Sequence, residues 1–211
     1  MKSNAYIKVK KWLLKPATFL FRIHAHDSQN EPAEEEGPYI IASNHMSNLD
    51  PVFLCASTDL QQPHFMAKKE LFKVPILNKI VRALGAYPID RKGADVAAIR
   101  KTIKMLDEGK CIGIFPQGHR YKKIDPRETE IKSGLGMIAV RAQATVLPCY
   151  IRLKKRKWAL FRRVDVYIGK PIKFEELNYD AKAPGEYMRI SQFVFDKICE
   201  MGESIDAQSS K

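Results

Sequence analysis

GADVAAIRKTIKMLDEGKCIGIF, residues 93–115, sets a helical pattern directly against a strand pattern. Val96, Ile99, Ile103 and Leu106 recur in steps of three and four, the period of an amphipathic helix. Gly109 ends it, since glycine readily adopts the left-handed backbone that closes a helix. KCIGIF (110–115) then reads as a short buried strand. The same alternation extends in both directions. Upstream lie the strand PYIIAS (38–43), a helix over 51–58, the strand HFMAK (64–68), the helix VPILNKIVRALG (74–85) and the extended AYPID (86–90). Downstream lie the helix SGLGMIAVRAQA (133–144), the strands TVLPCYI (145–151) and RVDVYIG (163–169), and a last helix over 185–204. Strands alternating with helices predict an α/β fold: a mixed, mostly parallel sheet flanked by helices. Sites in such sheets collect in loops beyond the strand ends, here 44–50, 91–92 and 116–132.

Before residue 28 two patterns meet. Over 6–18, Lys8, Lys11 and Lys15 form one strip of a helical wheel, and Tyr6, Val9, Trp12, Leu13 and Ala17 an apolar arc. This describes a helix lying in a membrane interface, and equally a helix packed on a core with a solvated basic edge. After Pro16 the period shortens to two: Phe19, Phe21, Ile23 and Ala25 alternate with Leu20, Arg22, His24 and His26, which predicts a strand. His24, His26 and Asp27 offer a metal pair without a third ligand, so an exposed strand face is the reading and no metal site is expected.

The formal net charge of +12 calls for a polyanionic partner. The first 26 residues carry six cations and no acid, and RLKKRKWALFRR (152–163) is equally free of acids. EPAEEEG (31–37) would repel a nucleic-acid backbone, and neither a helix-turn-helix nor basic-aromatic interleaving is present. An anionic membrane surface is therefore the expected partner, and no nucleic acid. The basic charge supports the interfacial reading of 1–18. No stretch reaches the roughly 18 apolar residues that span a bilayer. Cys55, Cys111, Cys149 and Cys199 are scattered in apolar runs, as reduced buried thiols are in a cytosolic protein.

NHMSNLD (44–50) places His45 five residues before Asp50 in the loop after PYIIAS. Histidine titrates near neutrality and transfers protons there. A carboxylate bonded to one ring nitrogen fixes the tautomer and stabilises the imidazolium. Asp50 also stands where it would cap a helix starting at Pro51, and His45 also fits an ordinary loop histidine. A serine hydrolase is excluded by the lack of GxSxG.

Read together with AKKEL (67–71), GAYPIDR (85–91), FPQGHR (115–120) and VLPCYI (146–151), the block resembles the 1-acylglycerol-3-phosphate acyltransferase family, over about residues 19–172. NHMSNLD resembles that family's NHxSxxD block, with Asn44 as its first residue; GAYPIDR is similar to GxxFIxR, and VLPCYI, with Pro148, to a VPxxI-like block. The third block departs from FPEGTR. Phe115, Pro116, Gly118 and Arg120 are kept, while Gln117 replaces glutamate and His119 threonine. That block meets the acceptor in the family, so Gln117 is expected to remove a negative charge near the acceptor's head group.

The resemblance implies an acyltransferase domain over 19–205, preceded by a membrane-associating segment over 1–18. It implies transfer of an acyl chain from acyl-CoA or acyl carrier protein to the hydroxyl of a lysophospholipid, 1-acylglycerol-3-phosphate, giving phosphatidic acid. The alternative is the same chemistry on another lysolipid. His45 is then the base and Asp50 its orienter. Lys68 is a candidate for the oxyanion, and Arg91, Gly118 and Arg120 bind the acceptor's phosphate, assisted by Lys132 and the amides of Ser133 and Gly134. Apolar residues of 74–84 and 51–57 suit an acyl-tail slot. No cofactor is needed, and the implied location is the cytoplasmic face of the membrane, peripheral or monotopic.

Overall fold

Pro16 shapes the start of the chain. A proline inside a helix has no N–H to give and crowds the carbonyl four residues back. The turn before it widens accordingly: a short α-helix, α1 (Asn4–Val9), passes into a π-helical turn at Lys10–Leu14 and resumes as α2 (Lys15–Leu20). The computed structural model describes residues 4–33, 38–59, 62–89 and 96–209.

The strands are β1 (Ile23–His26), β2 (Tyr39–Ser43), β3 (His64–Lys68), β4 (Tyr87–Ile89), β5 (Ile112–Ile114), β6 (Thr145–Leu153) and β7 (Val164–Ile168). They form a seven-stranded sheet in the order β1-β7-β6-β2-β5-β3-β4. Every pairing is parallel except β6 with β7. The remaining helices are α3 (Asp50–Ser57), α4 (Pro75–Ala83), α5 (Val96–Asp107), α6 (Gly134–Ala142) and α7 (Glu186–Ser209). One core packs Tyr6, Leu14, Phe53 and Leu54 against Ile41, Leu147, Ile151 and Val166. The other packs Leu106, Ile138, Ile190 and Ile198 against Ile40, Ile112 and Val146. The expected mixed, mostly parallel sheet flanked by helices is the observed architecture.

Strand direction makes one edge of the sheet special. The C-terminal ends of β2 to β6 share it, and because β1 and β7 run the other way, their N-terminal ends join it. Loop 44–49, loop 115–133, the segment after Lys68 and the basic stretch 154–163 therefore meet on one edge.

Two readings of the first 26 residues are corrected. The helix continues through Leu20, so Phe19 is helical and the strand starts only at Ile23. Phe21 and Ile23 are buried; their short alternation reflects the change from helix to strand across Arg22, which takes a left-handed backbone (φ 45°). The apolar arc offered to a membrane mostly packs inward: Tyr6 and Ala17 are buried and Val9 and Leu13 lie against the core, whereas Trp12 is 75% exposed. Burial raises the Tyr6 hydroxyl well above the usual phenol range, with the Cys55 thiol close by, and the Lys10 ammonium is bonded to Asp59.

Gly113 in β5 makes room for an aromatic ring. A Cβ there would lie 2.0 Å from the ring of Phe65, which crosses the strand at that point. Gly113→Ala is expected to destabilise the fold by about 1–3 kcal/mol through overpacking. The check is the denaturant midpoint at unchanged slope, and an unchanged midpoint would show that Phe65 moves aside freely.

Candidate active site

The site grows from the end of β2. Asn44 locks that end to β6: its Nδ2 donates to the Ile151 carbonyl (3.0 Å) and its Oδ1 accepts from the Ile151 N–H (2.8 Å). His45 follows. Its Nδ1 lies 2.8 Å from Oδ2 of Asp50, and the same oxygen accepts the N–H groups of Met46 and Ser47, each at 2.7 Å. Asp50 is the first residue of α3 and makes no cap to that helix, so the capping explanation for it is set aside. It is fully buried, and Oδ1 has no protein partner among the described residues. A carboxylate facing Nδ1 holds the ring proton there and leaves the lone pair on Nε2. Nε2 has no hydrogen-bond partner among the described residues, and His45 is 8% exposed. The dyad can take a proton from a hydroxyl and return it.

Phe115 stacks on the imidazole at 4.0 Å and 13°, and Phe65 lies behind it at 5.9 Å. The strand without a side chain at Gly113 thus lets Phe65 and Phe115 line up against His45. From Phe115 the loop wraps round the histidine. The Tyr121 N–H donates to the His45 carbonyl (3.0 Å), and the Lys132 N–H closes the loop on the Pro116 carbonyl (2.8 Å). Gly118 has φ +71°, and a Cβ there would come within 3.1 Å of Lys132 Cγ, so only glycine suits the turn.

Gln117 is where the structure departs most from the sequence reading. It is 1% exposed and faces neither solvent nor Arg120. Its Oε1 accepts the His45 N–H (2.5 Å), and its Nε2 donates to Thr129 Oγ1 (2.7 Å), which donates on to the Pro126 carbonyl (2.6 Å). The residue braces the histidine backbone and does not line a head-group pocket. Arg120 is half-buried next to Tyr121 and makes no ion pair among the described residues. His119 is exposed, its ring 4.3 Å from that of Tyr121.

Lys68 ends β3, exposed and two strands from β2, the strand that leads to His45. Arg91 lies outside the described residues. Pro148 is buried in β6 opposite Ala42 of β2, within the sheet. Ser133 and Gly134 open α6 beside Lys132, on that edge. In α3, Phe53, Leu54 and Cys55 are buried core residues and not a slot.

The sequence reading missed Asp125. It accepts from Arg127 (2.8 and 2.7 Å) and from Arg156, and Arg127 also reaches Glu203 (3.0 Å). Arg127, then Arg156, hold the Asp125 carboxyl well below the usual carboxylate range despite its burial. This stitches loop 115–133 to the basic stretch and to α7. DPR at 125–127 carries the signal, an Asp-Pro turn whose side chain accepts from two residues on.

Burial pushes the Cys55 and Cys199 thiols up to about 12, and raises those of Cys111 and Cys149 as well. None is a thiolate near neutrality. His26 is bonded to Asp165 (2.7 Å) and stacked on Tyr167, and no metal-ligating cluster occurs among the described residues.

A family model described as Acyltransferase matches residues 22–152. The chain is 32% identical over 158 residues to the 1-acyl-sn-glycerol-3-phosphate acyltransferase of Streptococcus pneumoniae, covering 74% of this chain but 57% of that protein. It is 30% identical over 152 residues to the protein of the same name from Bacillus subtilis, covering 71% and 73% respectively. The crystal structure of the 1-acyl-sn-glycerophosphate acyltransferase of Thermotoga maritima aligns over 97% of this chain and 84% of its own, with a TM-score of 0.67 at 23% identity. That likeness establishes the fold.

Gln117→Ala leaves the buried His45 N–H without its acceptor, a loss of about 1–3 kcal/mol. Thermal or denaturant melts should show it, and a smaller loss for Thr129→Val. Equal stability of Gln117→Ala and the parent chain would mean that His45 is held without this brace. Asp125 adds a pH signature. Its carboxyl is depressed in the fold, so its contribution is present above about pH 4 and drains as pH falls through the folded value. Asp125→Asn should flatten the acid limb of the stability curve, and an unchanged limb would contradict the network.

Proposed function

The chain belongs to the acyltransferase family, and from that premise we propose that it transfers a fatty acyl chain from acyl-CoA or acyl carrier protein to the free hydroxyl of 1-acylglycerol-3-phosphate, giving phosphatidic acid. The observation that carries the reading is the buried His45–Asp50 pair, with no partner for Nε2 among the described residues, at the edge where the FPQGHR loop closes. Nε2 takes the proton of the acceptor hydroxyl as its oxygen attacks the thioester carbonyl. The tetrahedral oxyanion collapses, the C–S bond breaks, and the proton passes from Nε2 to the departing sulfur. Asp50 stabilises the imidazolium between these steps. General-base help of this kind is worth roughly 10²–10⁴-fold. The acceptor oxygen attacks directly, and the raised thiol pKa values argue against an acyl-cysteine.

Arg120 is the proposed phosphate ligand: a guanidinium matches phosphate oxygens with two parallel bonds. Gly118, Lys132, the Ser133 and Gly134 amides and Arg91 are its proposed helpers, and Lys68 the proposed oxyanion cation. The exposed His119 beside Tyr121 favours a second reading, the same transfer to a lysolipid with another head group.

For the membrane, support comes from a set of residues that shares only Trp12 with the apolar arc of the helical wheel. Trp12, Phe19, Leu160 and Phe161 are 75%, 78%, 56% and 60% exposed. The Phe161 N–H is bonded to the Leu20 carbonyl (2.7 Å), and Trp158 meets Phe21 edge-on at 5.7 Å, so the stretch 158–161 and the end of α2 form one surface. Lys11, Lys15, Lys157 and Arg163 flank it, exposed. No described helix is long and apolar enough to cross a bilayer. We propose that this face lies on the anionic cytoplasmic surface of the membrane.

His45→Ala should abolish thiol release from acyl donors in the presence of lysophosphatidate while the melting curve stays unchanged; near-parental turnover would remove His45 from the chemistry. Arg120→Ala should raise KM for lysophosphatidate far more than for the acyl donor. A chain that ignores lysophosphatidate and acylates a zwitterionic lysolipid would select the second reading.

A further inference from the structure

The segment after β3, KELFKVPILNKIVRA (69–83), combines a 3₁₀ turn at Lys69–Lys73 with α4, and neither element buries a single residue. Ile76 is 76% exposed, Val74 51%, and Leu71 and Ile80 37% each. Ile76 and Ile80 are four apart and so share one face of the helix. Val74, Ile76 and Ile80 belong to the expected acyl-tail slot; their exposure places them on the outside. The polar groups are drawn away from this strip. Arg82 folds back over the Phe72 ring (5.1 Å) and donates to the Asn78 side chain (2.6 Å). Lys68, Lys73 and Lys79 are exposed around the strip, and Glu70 is the one acid between Lys68 and Arg82.

We infer that α4 and the turn before it are a second lipid contact, which rests on an anionic bilayer beside the face made by α2 and residues 158–161. Three observations choose a bilayer as the occupant. A ring of cations round an apolar strip complements anionic head groups above acyl chains. The segment leaves the sheet at Lys68, on the edge that carries His45. And α4 lies alongside α1, so the strip is continuous with the surface that carries Ile7, 52% exposed, and Trp12. Two contacts on one lipid surface fix the tilt of the sheet, and with it the approach of His45 to a hydroxyl held in the membrane. One contact alone leaves the edge free to swing. The inference rests on the reading that this edge works at a lipid surface.

The test uses the full chain and its Ile76→Asp/Ile80→Asp variant. Vesicles of phosphatidylcholine with phosphatidylglycerol, and of phosphatidylcholine alone, are sedimented with each protein. Both substituted side chains are exposed, so the melting curve should not move. The variant should bind the anionic vesicles at least about tenfold more weakly, and lose turnover on vesicle-borne lysophosphatidate to match. It should keep parental turnover on a short-chain acceptor dispersed below its aggregation limit. That last assay separates the two claims: a parental chain inactive on the dispersed acceptor overturns the proposed transfer and leaves the binding result standing. Parental vesicle binding by the variant overturns the lipid contact. So does a fall in turnover on the dispersed acceptor with binding intact, which would make the strip an acyl slot. A change of oligomeric state in place of a change in lipid binding would assign it to a second copy of the chain and equally overturn it.

Discussion

One carboxylate oxygen organises this site. Oδ2 of Asp50 accepts three hydrogen bonds, from the imidazole of His45 and from the N–H groups of Met46 and Ser47. Three donors on one buried oxygen offset the cost of taking the charge out of water. They also turn the chain back on itself, so that the loop after β2 and the start of α3 can take one arrangement only. His45 is then clamped from every other side: its N–H by Gln117, its carbonyl by Tyr121, its ring face by Phe115. The proposed base, held this way, needs no reorganisation when a hydroxyl arrives.

The direction of the strands does the remaining placement. Loops at the C-terminal ends of a parallel sheet converge, which brings loop 115–133 to His45. Reversal of β1 and β7 adds the end of α2 and the stretch 154–163 to the same edge, and Asp125, through Arg127 and Arg156, ties that stretch to the loop. Cations and unburied aromatic side chains accumulate where the proposed chemistry is, as an enzyme with a membrane-borne acceptor needs.

The alternation around residues 93–115 was enough to read the α/β architecture, and HFMAK is a strand over the very residues read from it. The His–Asp pair was legible because its spacing and its helix start force a return of the loop. Other features were hidden for physical reasons. A helical wheel ranks faces but does not say which neighbour covers them, so Tyr6 and Ala17, which fit a membrane-facing arc, belong to the core in the fold. A buried amide reads like an exposed one, which concealed the bonds of Gln117 to His45 and Thr129. Asp125 works through arginines 2 and 31 residues away, and the longer of those separations leaves no local trace.

Oδ1 of Asp50, without a partner among the described residues, makes the central claim directly measurable. In Asp50→Asn the amide oxygen can take the place of Oδ2 and keep all three donors, while the amide nitrogen takes the place that has no partner. Geometry and tautomer survive, and only the charge facing the imidazolium is lost. With acyl donor and lysophosphatidate at saturation, the variant should turn over about a hundredfold more slowly or worse, with an unchanged melting curve. Turnover within about twofold of the parent chain would contradict the account, because His45 would then need no charged partner.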